Sequence, residues 1–304
     1  MKRRTFLSSA AVFAVAAALP GSPRAQTSNA LVTAEIPGAN RELPVIGLGT
    51  ARRYADPAGE AELAALKATI ARFMEFGGQV IDTAPSYGRA EEVIGQLVQE
   101  LGVRDHLFLA TKVGVNSREE GVAEIEQSFA RLRTKRIDLI AVHNLRDIDN
   151  QLALLRALKA AGRIGAVGAT TSFDRQYPAF EAMMRRQALD VIQVDYAMDN
   201  RGAAERILPL AQERGFAVMI NLPFGRGRLF EATKDRPLPD WAREVNATSW
   251  AQVFLKYIVS HPSRPIAVPG MAQARYVDDN LAAARQPLPD AAFRRRMEQY
   301  IDAL

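Results

Sequence analysis

Four polar residues, Asp82, Tyr87, Lys112 and His143, lie at or just beyond the ends of short apolar segments. The segments read IDTAPSYG, FLATK and LIAVH, and parallel strands would bring their carboxyl ends to one edge of a sheet or barrel. A tyrosine hydroxyl has an ordinary pKa of about 10, and a neighbouring ammonium favours its deprotonated form. A carboxylate would keep the lysine charged, and an imidazole could donate a hydrogen bond to a developing alkoxide. Such a group suits carbonyl reduction, in which a hydride reaches carbon and a proton reaches oxygen.

Each of these residues also has a purely structural interpretation. Asp82 could cap the loop after its strand, and Tyr87 could be an ordinary packed aromatic side chain. Lys112 could be an ion-pair partner at the rim, and His143 a buried imidazole with satisfied hydrogen bonds. The four residue types at strand ends, in this order, favour the catalytic interpretation, which no single member carries. The chain has no cysteine, which excludes a thiolate nucleophile, thiolate metal ligands and disulfides, and no metal-ligand cluster competes with this group.

The elements that would position these residues alternate regularly along the chain. Eight short apolar segments without apolar/polar alternation predict buried parallel strands at residues 45–48, 79–82, 107–111, 139–143, 166–169, 191–195, 217–222 and 265–268. Helical patterns separate them at residues 62–76, 90–101, 119–132, 149–161, 177–186, 203–214 and 249–261, and a last helix is expected near 290–300.

This alternation predicts an α/β fold, a (β/α)8 TIM barrel preceded by a short N-terminal β-hairpin at residues 31–44. The alternative is a doubly wound open sheet. It is disfavoured because Gly47-Leu48-Gly49 lacks the third glycine of a dinucleotide-binding fingerprint. A long segment at residues 222–241, rich in Pro, Gly and Arg, predicts a functional loop after the seventh barrel strand.

The charge of the chain gives no indication of a nucleic-acid partner, although its pI is about 9.6. Four of the 39 basic residues lie in the first 25 positions, which contain no acid. The remainder has 35 basic residues against 34 acidic ones, so it is nearly neutral. An apolar content of 48% with 24% charged residues is typical of a globular protein.

The N-terminus reads as a targeting segment. Lys2-Arg3-Arg4 precedes an apolar stretch at residues 8–19, which as a helix would reach only about 18 Å and is too short to span a bilayer. Residues 1–25 are interpreted as a twin-arginine-type signal, and residues 26–304 as the barrel. The implied partner is the Tat export machinery, and the implied location is the periplasm. The alternative is an uncleaved basic N-terminus.

From about residue 35 to residue 284 the chain resembles the aldo/keto reductases. Residues 43–50 (LPVIGLGT) resemble the family's first strand, and residues 81–88 followed by Glu91-Glu92 resemble its aspartate–tyrosine signature. Residues 110–112 (ATK) carry the lysine, and residues 136–139 (RIDL) lead to the histidine. The resemblance implies that Tyr87 is the general acid/base, that Lys112 and Asp82 tune it, and that His143 orients the carbonyl.

The resemblance also implies NADP bound across the barrel mouth, with NADPH favoured over NADH. Gln193 aligns with the residue that holds the nicotinamide amide, and residues 223–227 with a loop over the pyrophosphate. Thr170-Thr171 stand where the family usually has Ser-Asn, and Asn221 where many members have a tyrosine. The full set of expected cofactor contacts is Gly49, Thr50, Thr170, Thr171, Gln193, Asn221, Pro223, Phe224, Gly225, Gly227, Gly270, Arg275, Asp279 and Asn280.

The sequence therefore predicts an exported, monomeric oxidoreductase that reduces an aldehyde or ketone, or oxidises the alcohol. It predicts a small-molecule carbonyl substrate, no nucleic acid, no stable membrane insertion and no metal. Two alternatives remain open. One is a catalytically idle barrel that binds a nucleotide or other ligand, and the other is a sugar-phosphate or lyase barrel that needs no nucleotide.

Overall fold

The computed structural model describes residues 30–39 and 41–304. Eight parallel strands form one curled sheet in chain order. They are β3 (Leu48–Gly49), β4 (Val80–Asp82), β5 (Phe108–Val113), β6 (Ile137–His143), β7 (Ile164–Thr171), β8 (Val191–Asp195), β9 (Ala217–Asn221) and β10 (Ile266–Ala267). Parallel bridges from Ile46 to Ala267 and from Gly49 to Gly270 join the first strand to the last. The predicted (β/α)8 barrel is therefore confirmed.

Helices follow the strands and cover the barrel. They are α1 (Glu60–Glu75), α2 (Ala90–Leu101), α3 (Arg118–Arg131), α4 (Ile148–Ala160), α5 (Tyr177–Arg186), α6 (Ala203–Glu213), α7 (Arg228–Ala232), α8 (Trp250–Val259), α9 (Ala274–Ala282) and α10 (Ala291–Asp302). Several begin at a side-chain cap, since Ser117 accepts a hydrogen bond from the Glu120 amide and Ser249 from the Gln252 amide. The strands between them are buried almost throughout, as expected when helices cover a parallel sheet.

The predicted hairpin consists of β1 (Thr33–Ile36) and β2 (Arg41–Pro44), which pair antiparallel. It lies across the amino end of the barrel. There Arg41 donates to the Leu107 carbonyl and to the Gln79 side chain, which directly precede β5 and β4. The hairpin closes the end opposite to Asp82, Lys112 and His143, so access to the barrel is left at the carboxyl ends of the strands.

Two features differ from the sequence-based prediction. Helix α9 lies in a region with no predicted helix, and the predicted loop at residues 222–241 contains α7 and the 3-10 turn Gly225–Gly227. The predicted signal at residues 1–25 lies outside the described residues. Within the residues described, none of the helices combines the length and the apolar composition that a bilayer crossing requires.

Candidate active site

Asp82 and Lys112 form a buried ion pair inside the barrel. Asp82 ends β4, and Lys112 lies near the end of the neighbouring strand β5. The Lys112 Nζ donates to both Asp82 carboxylate oxygens at 2.9 Å and to the Thr83 carbonyl at 2.8 Å. Lys112 is 2% exposed and Asp82 is 5% exposed. The two charged groups are held in place by one another and by the backbone.

Tyr87 and His143 complete the group. Tyr87 lies in the turn after β4, where its amide donates to the Ala84 carbonyl at 3.1 Å and its ring is half-buried. The Lys112 Nζ lies 5.1 Å from the centre of the Tyr87 ring. The His143 ring meets the Tyr87 ring edge-on, with 6.3 Å between centroids. The four side chains predicted from strand-end positions are therefore brought together at one end of the barrel.

The charges of this group are set by burial and by the ion pair. Burial alone would lower the pKa of Lys112, but the charge of Asp82 and the Tyr87 hydroxyl outweigh it and raise the pKa above its ordinary value. Burial, then the positive charges of Lys112 and Arg146, lower the pKa of His143 to about 3. The site thus presents a permanent ammonium beside a tyrosine hydroxyl and a neutral imidazole that can donate a hydrogen bond.

A row of polar side chains continues around the mouth from His143. In the strand register His143 stands beside Thr170 of β7, and Thr170 beside Gln193 of β8. Gln193 Nε2, Asn144 Oδ1 and Asn221 Oδ1 are buried atoms without a hydrogen-bond partner in the described part of the chain. Buried polar atoms are normally satisfied, so these three, which lie on β8, directly after β6 and at the end of β9, indicate a bound polar group.

These three atoms fit a nicotinamide carboxamide. An amide nitrogen donor on Gln193 and oxygen acceptors on Asn144 and Asn221 match the oxygen and the NH2 group of a primary amide. Sequence reasoning named Gln193 and Asn221 but not Asn144. A signal for Asn144 is present in the sequence, because it directly follows His143 at the end of a strand.

The loop after β9 has a strained backbone over the mouth. Gly225, Arg226 and Gly227 have φ angles of 57°, 59° and 99°, in the left-handed region that favours glycine. The amides of Gly225 and Gly227 donate to the carbonyls of Leu222 and Phe224 within the turn. The Phe224 ring packs on Phe230 at 4.9 Å between centroids. The predicted cofactor loop is therefore a self-bonded turn, anchored by aromatic packing, with Pro223 buried at its start.

Among the other predicted contacts, several hydroxyls already have partners in the protein. The Thr50 hydroxyl donates to the Asp82 carbonyl at 3.0 Å, so it supports the ion pair. The Thr171 hydroxyl donates to Gln176 at 2.5 Å. Gly49 lies against the seam of the barrel, where a β-carbon would approach the Val268 carbonyl to 2.7 Å. The hydroxyls of Thr50 and Thr171 therefore hold neighbouring segments of the protein in place in this structure.

On the side of α9 the predicted residues separate into two groups. The Asp279 carboxylate accepts hydrogen bonds from Ser249 at 2.9 Å and Gln252 at 2.7 Å, which ties α9 to α8. Asn280 is buried beside it. Arg275 and Gly270 are exposed, and the Arg275 guanidinium lies 4.9 Å from the centre of the Tyr276 ring. Arg275 is thus the predicted contact on this side whose charge faces solvent.

Comparisons with known proteins identify the family of the chain. A sequence profile of the Aldo/keto reductase family matches residues 45–299. The chain is 32% identical over 176 residues to the aldo-keto reductase YhdN of Bacillus subtilis, an alignment that covers 53% of this chain and about half of that relative, 52%. It is 27% identical over 243 residues to the NADH-specific methylglyoxal reductase of Escherichia coli, covering 70% of this chain and 73% of the relative.

Solved structures show the same likeness. An aldo/keto reductase from Klebsiella pneumoniae in complex with NADP and acetate has a TM-score of 0.72 at 26% identity, over 87% of this chain and 93% of that one. The glycerol dehydrogenase of Gluconobacter oxydans shares the fold, with a TM-score of 0.74 at 22% identity over 89% and 95% of the two chains.

Proposed function

The chain belongs to the aldo/keto reductase family, and from that premise we propose that it transfers hydride between NADPH and an aldehyde or ketone with Tyr87 as the proton donor. The observation that carries the proposal is the grouping of Asp82, Tyr87, Lys112 and His143 at the open end of the barrel. The family assignment supports a nicotinamide-dependent carbonyl oxidoreductase, and the geometry supports the individual roles.

The roles follow from the charges of the side chains. The neutral His143 imidazole donates a hydrogen bond to the carbonyl oxygen and orients it toward the Tyr87 hydroxyl. Tyr87 gives its proton to that oxygen as negative charge develops there. The Lys112 ammonium, fixed by Asp82, stabilises the phenolate that remains. Bound NADPH would supply the hydride that reaches the carbonyl carbon.

Gln193, Asn144 and Asn221 would hold the nicotinamide amide, because their buried polar atoms match its hydrogen-bonding groups. Preference for NADPH over NADH is proposed from Arg275, whose exposed guanidinium at the start of α9 could receive a 2′-phosphate. The NADH-specific relative from Escherichia coli makes this preference a point to measure. A titration of the purified protein with each nucleotide, followed by protein fluorescence, gives both dissociation constants.

We also propose that the protein acts as a monomer in the periplasm after export in the folded state. The support for export is the twin-arginine head and apolar stretch in residues 1–25. Cofactor would be loaded in the cytoplasm and carried out bound to the barrel. Mass spectrometry of protein isolated from the periplasm should find the nucleotide, and its absence would contradict carriage.

The test of the reductase function is Tyr87→Phe. Loss of the hydroxyl removes the proton donor, and we expect carbonyl reduction to fall by roughly 10²- to 10⁴-fold. Nucleotide affinity and the free energy of unfolding should stay near wild-type values, because the Lys112 ammonium beside the hydroxyl is also held by Asp82 and by the Thr83 carbonyl. Reduction at near wild-type rates by the variant would refute the role of Tyr87. Nucleotide binding without any reduction by the wild type would indicate an idle binding barrel.

A further inference from the structure

Arg146 lies at the open end of the barrel, three residues after His143. Its Nη1 donates to the Gly114 carbonyl at 3.0 Å. Gly114 follows β5 directly and packs on the imidazole, since a β-carbon at this position would lie 3.2 Å from His143 Cβ and 3.6 Å from Nδ1. The positive charge of Arg146 is also among the causes that lower the pKa of His143, after burial and Lys112. Arg146 is therefore a cation beside the place where the carbonyl would bind.

The backbone around Arg146 is strained. Asn144, Leu145 and Asp147 have φ angles of 54°, 58° and 44°, a conformation that residues other than glycine rarely adopt. The turn is held by the Asn144 amide, which donates to the Thr170 carbonyl at 2.8 Å. Strain of this kind persists only where surrounding contacts enforce it, and it concentrates at functional sites. The fold thus maintains an unfavourable turn that brings the arginine back toward the catalytic residues.

The charge of Arg146 has no counter-charge in the part of the chain that the structure describes, where no ion pair includes it. The neighbouring acids bind other groups. Glu124 accepts a hydrogen bond from the Gly114 amide at 2.7 Å, and Asp147 accepts one from Asn150 at 2.8 Å. Because only Nη1 is used, the Nε and Nη2 edge of the guanidinium can still bind two oxygens in one plane.

Resting on the proposed reductase function, we propose that Arg146 binds the carboxylate of the substrate, so that the preferred substrates are aldehydes or ketones that carry a carboxylate. A planar carboxylate matches the free edge of the guanidinium. The buried cation of the site, Lys112, is neutralised by Asp82 and does not compete for it. Arg146 is then a specificity-determining residue that holds the end of the substrate remote from the reacting carbon.

Two aldehydes that differ by one methyl group test this proposal, 4-carboxybenzaldehyde and its uncharged analogue methyl 4-formylbenzoate. The readout is the ratio of their kcat/KM values in the wild type and in Arg146→Gln, Arg146→Lys and Arg264→Gln. Arg264 is a matched control, because it is exposed and donates to a backbone carbonyl, that of Thr33, at 2.8 Å. It lies at the opposite end of the barrel, directly before β10.

In the wild type we expect kcat/KM to be roughly 10-fold higher for 4-carboxybenzaldehyde than for the methyl ester. Arg146→Gln should abolish this preference and Arg146→Lys should retain part of it. Arg264→Gln should leave it intact. Raising the ionic strength should reduce the preference, because the arginine is exposed. Calorimetric titration with the product 4-(hydroxymethyl)benzoate adds a readout apart from turnover, and its affinity should fall in Arg146→Gln.

The outcomes separate the two proposals. Equal kcat/KM values for both aldehydes in the wild type, or a preference unchanged in Arg146→Gln, would overturn the role of Arg146 and leave the reductase function standing. Reduction of neither aldehyde, nor of any other carbonyl compound, would count against the reductase function instead. In that case calorimetry still decides whether Arg146 binds the carboxylate.

Discussion

Replacement of Lys112 by methionine separates the structural role of the buried ion pair from its catalytic role. The substitution removes the cation but leaves the Asp82 carboxylate 5% exposed, without the two hydrogen bonds of 2.9 Å from the lysine. Breaking a buried pair in this way costs about 3–5 kcal/mol, because an uncompensated charge stays in the interior. Such a loss is a large fraction of the stability of an ordinary domain.

The double variant Asp82→Asn/Lys112→Met removes both charges. We expect it to recover most of the stability lost by Lys112→Met, since no buried charge remains. Activity should not return, because the ammonium that stabilises the phenolate is absent in both variants. We therefore expect kcat/KM for aldehyde reduction to stay at least roughly 100-fold below wild type in the single and the double variant.

Urea unfolding followed by circular dichroism measures the stabilities, and steady-state reduction of benzaldehyde measures the activity. Lys159→Met is a matched control. Its ammonium pairs with Asp190 at 2.6 Å, but 35% of the lysine side chain is exposed, so we expect a loss of only about 0–1 kcal/mol. A double variant as unstable as Lys112→Met would refute the argument from the uncompensated charge. A double variant with restored activity would refute the catalytic role of Lys112.

Three other predictions follow from the site and from its surroundings. Because the pKa of His143 is lowered to about 3, its imidazole stays neutral and kcat/KM should be constant within about twofold from about pH 5 to 8. A decrease of kcat/KM on the acid side, with a midpoint near pH 6.5, would contradict the neutral imidazole. Gln193→Ala should weaken NADPH binding roughly 10-fold in a fluorescence titration. The unfolding free energy of the nucleotide-free protein should change by less than about 1 kcal/mol, because the Nε2 atom that is lost has no partner in the described residues. Burial, then the charge of Arg294, lower the pKa of His261 to about 4. As the pH falls below about 6.5, the unfolded chain therefore takes up a proton at this histidine before the folded protein does. The free energy of unfolding should drop by up to about 1.4 kcal/mol per pH unit down to about pH 4. Urea unfolding at several pH values should show a smaller dependence on pH for His261→Gln.

The sequence predicted the barrel and the grouping of Asp82, Lys112 and His143 at one of its ends because both depend on local signals. Buried parallel strands read as continuous apolar runs, and their carboxyl ends must meet at one edge, so Asp82, Lys112 and His143 could be placed together. Helix α9 was missed because it is short, has only three buried residues and begins without a side-chain cap. Its pattern is too weak to stand out from a loop.

The parts of the site that the sequence did not predict depend on contacts between distant segments of the chain. The turn that carries Asn144 is fixed by the Thr170 carbonyl and by Gln176, which donates to the Asn144 carbonyl at 3.2 Å. The Asp279 carboxylate, expected as a cofactor contact, is bound by Ser249 and Gln252 about 30 residues earlier in the chain. No spacing rule along the sequence shows such pairings, since only the packing of neighbouring βα units creates them.

The seam between the first and the last strand has a consequence for synthesis of the protein. Ile46 and Ala267, which bridge across it, are roughly 220 residues apart, so this contact closes the longest loop in the barrel. All eight strands must therefore leave the ribosome before the eighth strand can reach the first. Until then β3 and β10 are unpaired sheet edges, on which another chain could add its own strand. Closure is thus a late event in folding, and slow synthesis of the chain should cost this protein more yield than one whose first and last strands do not meet.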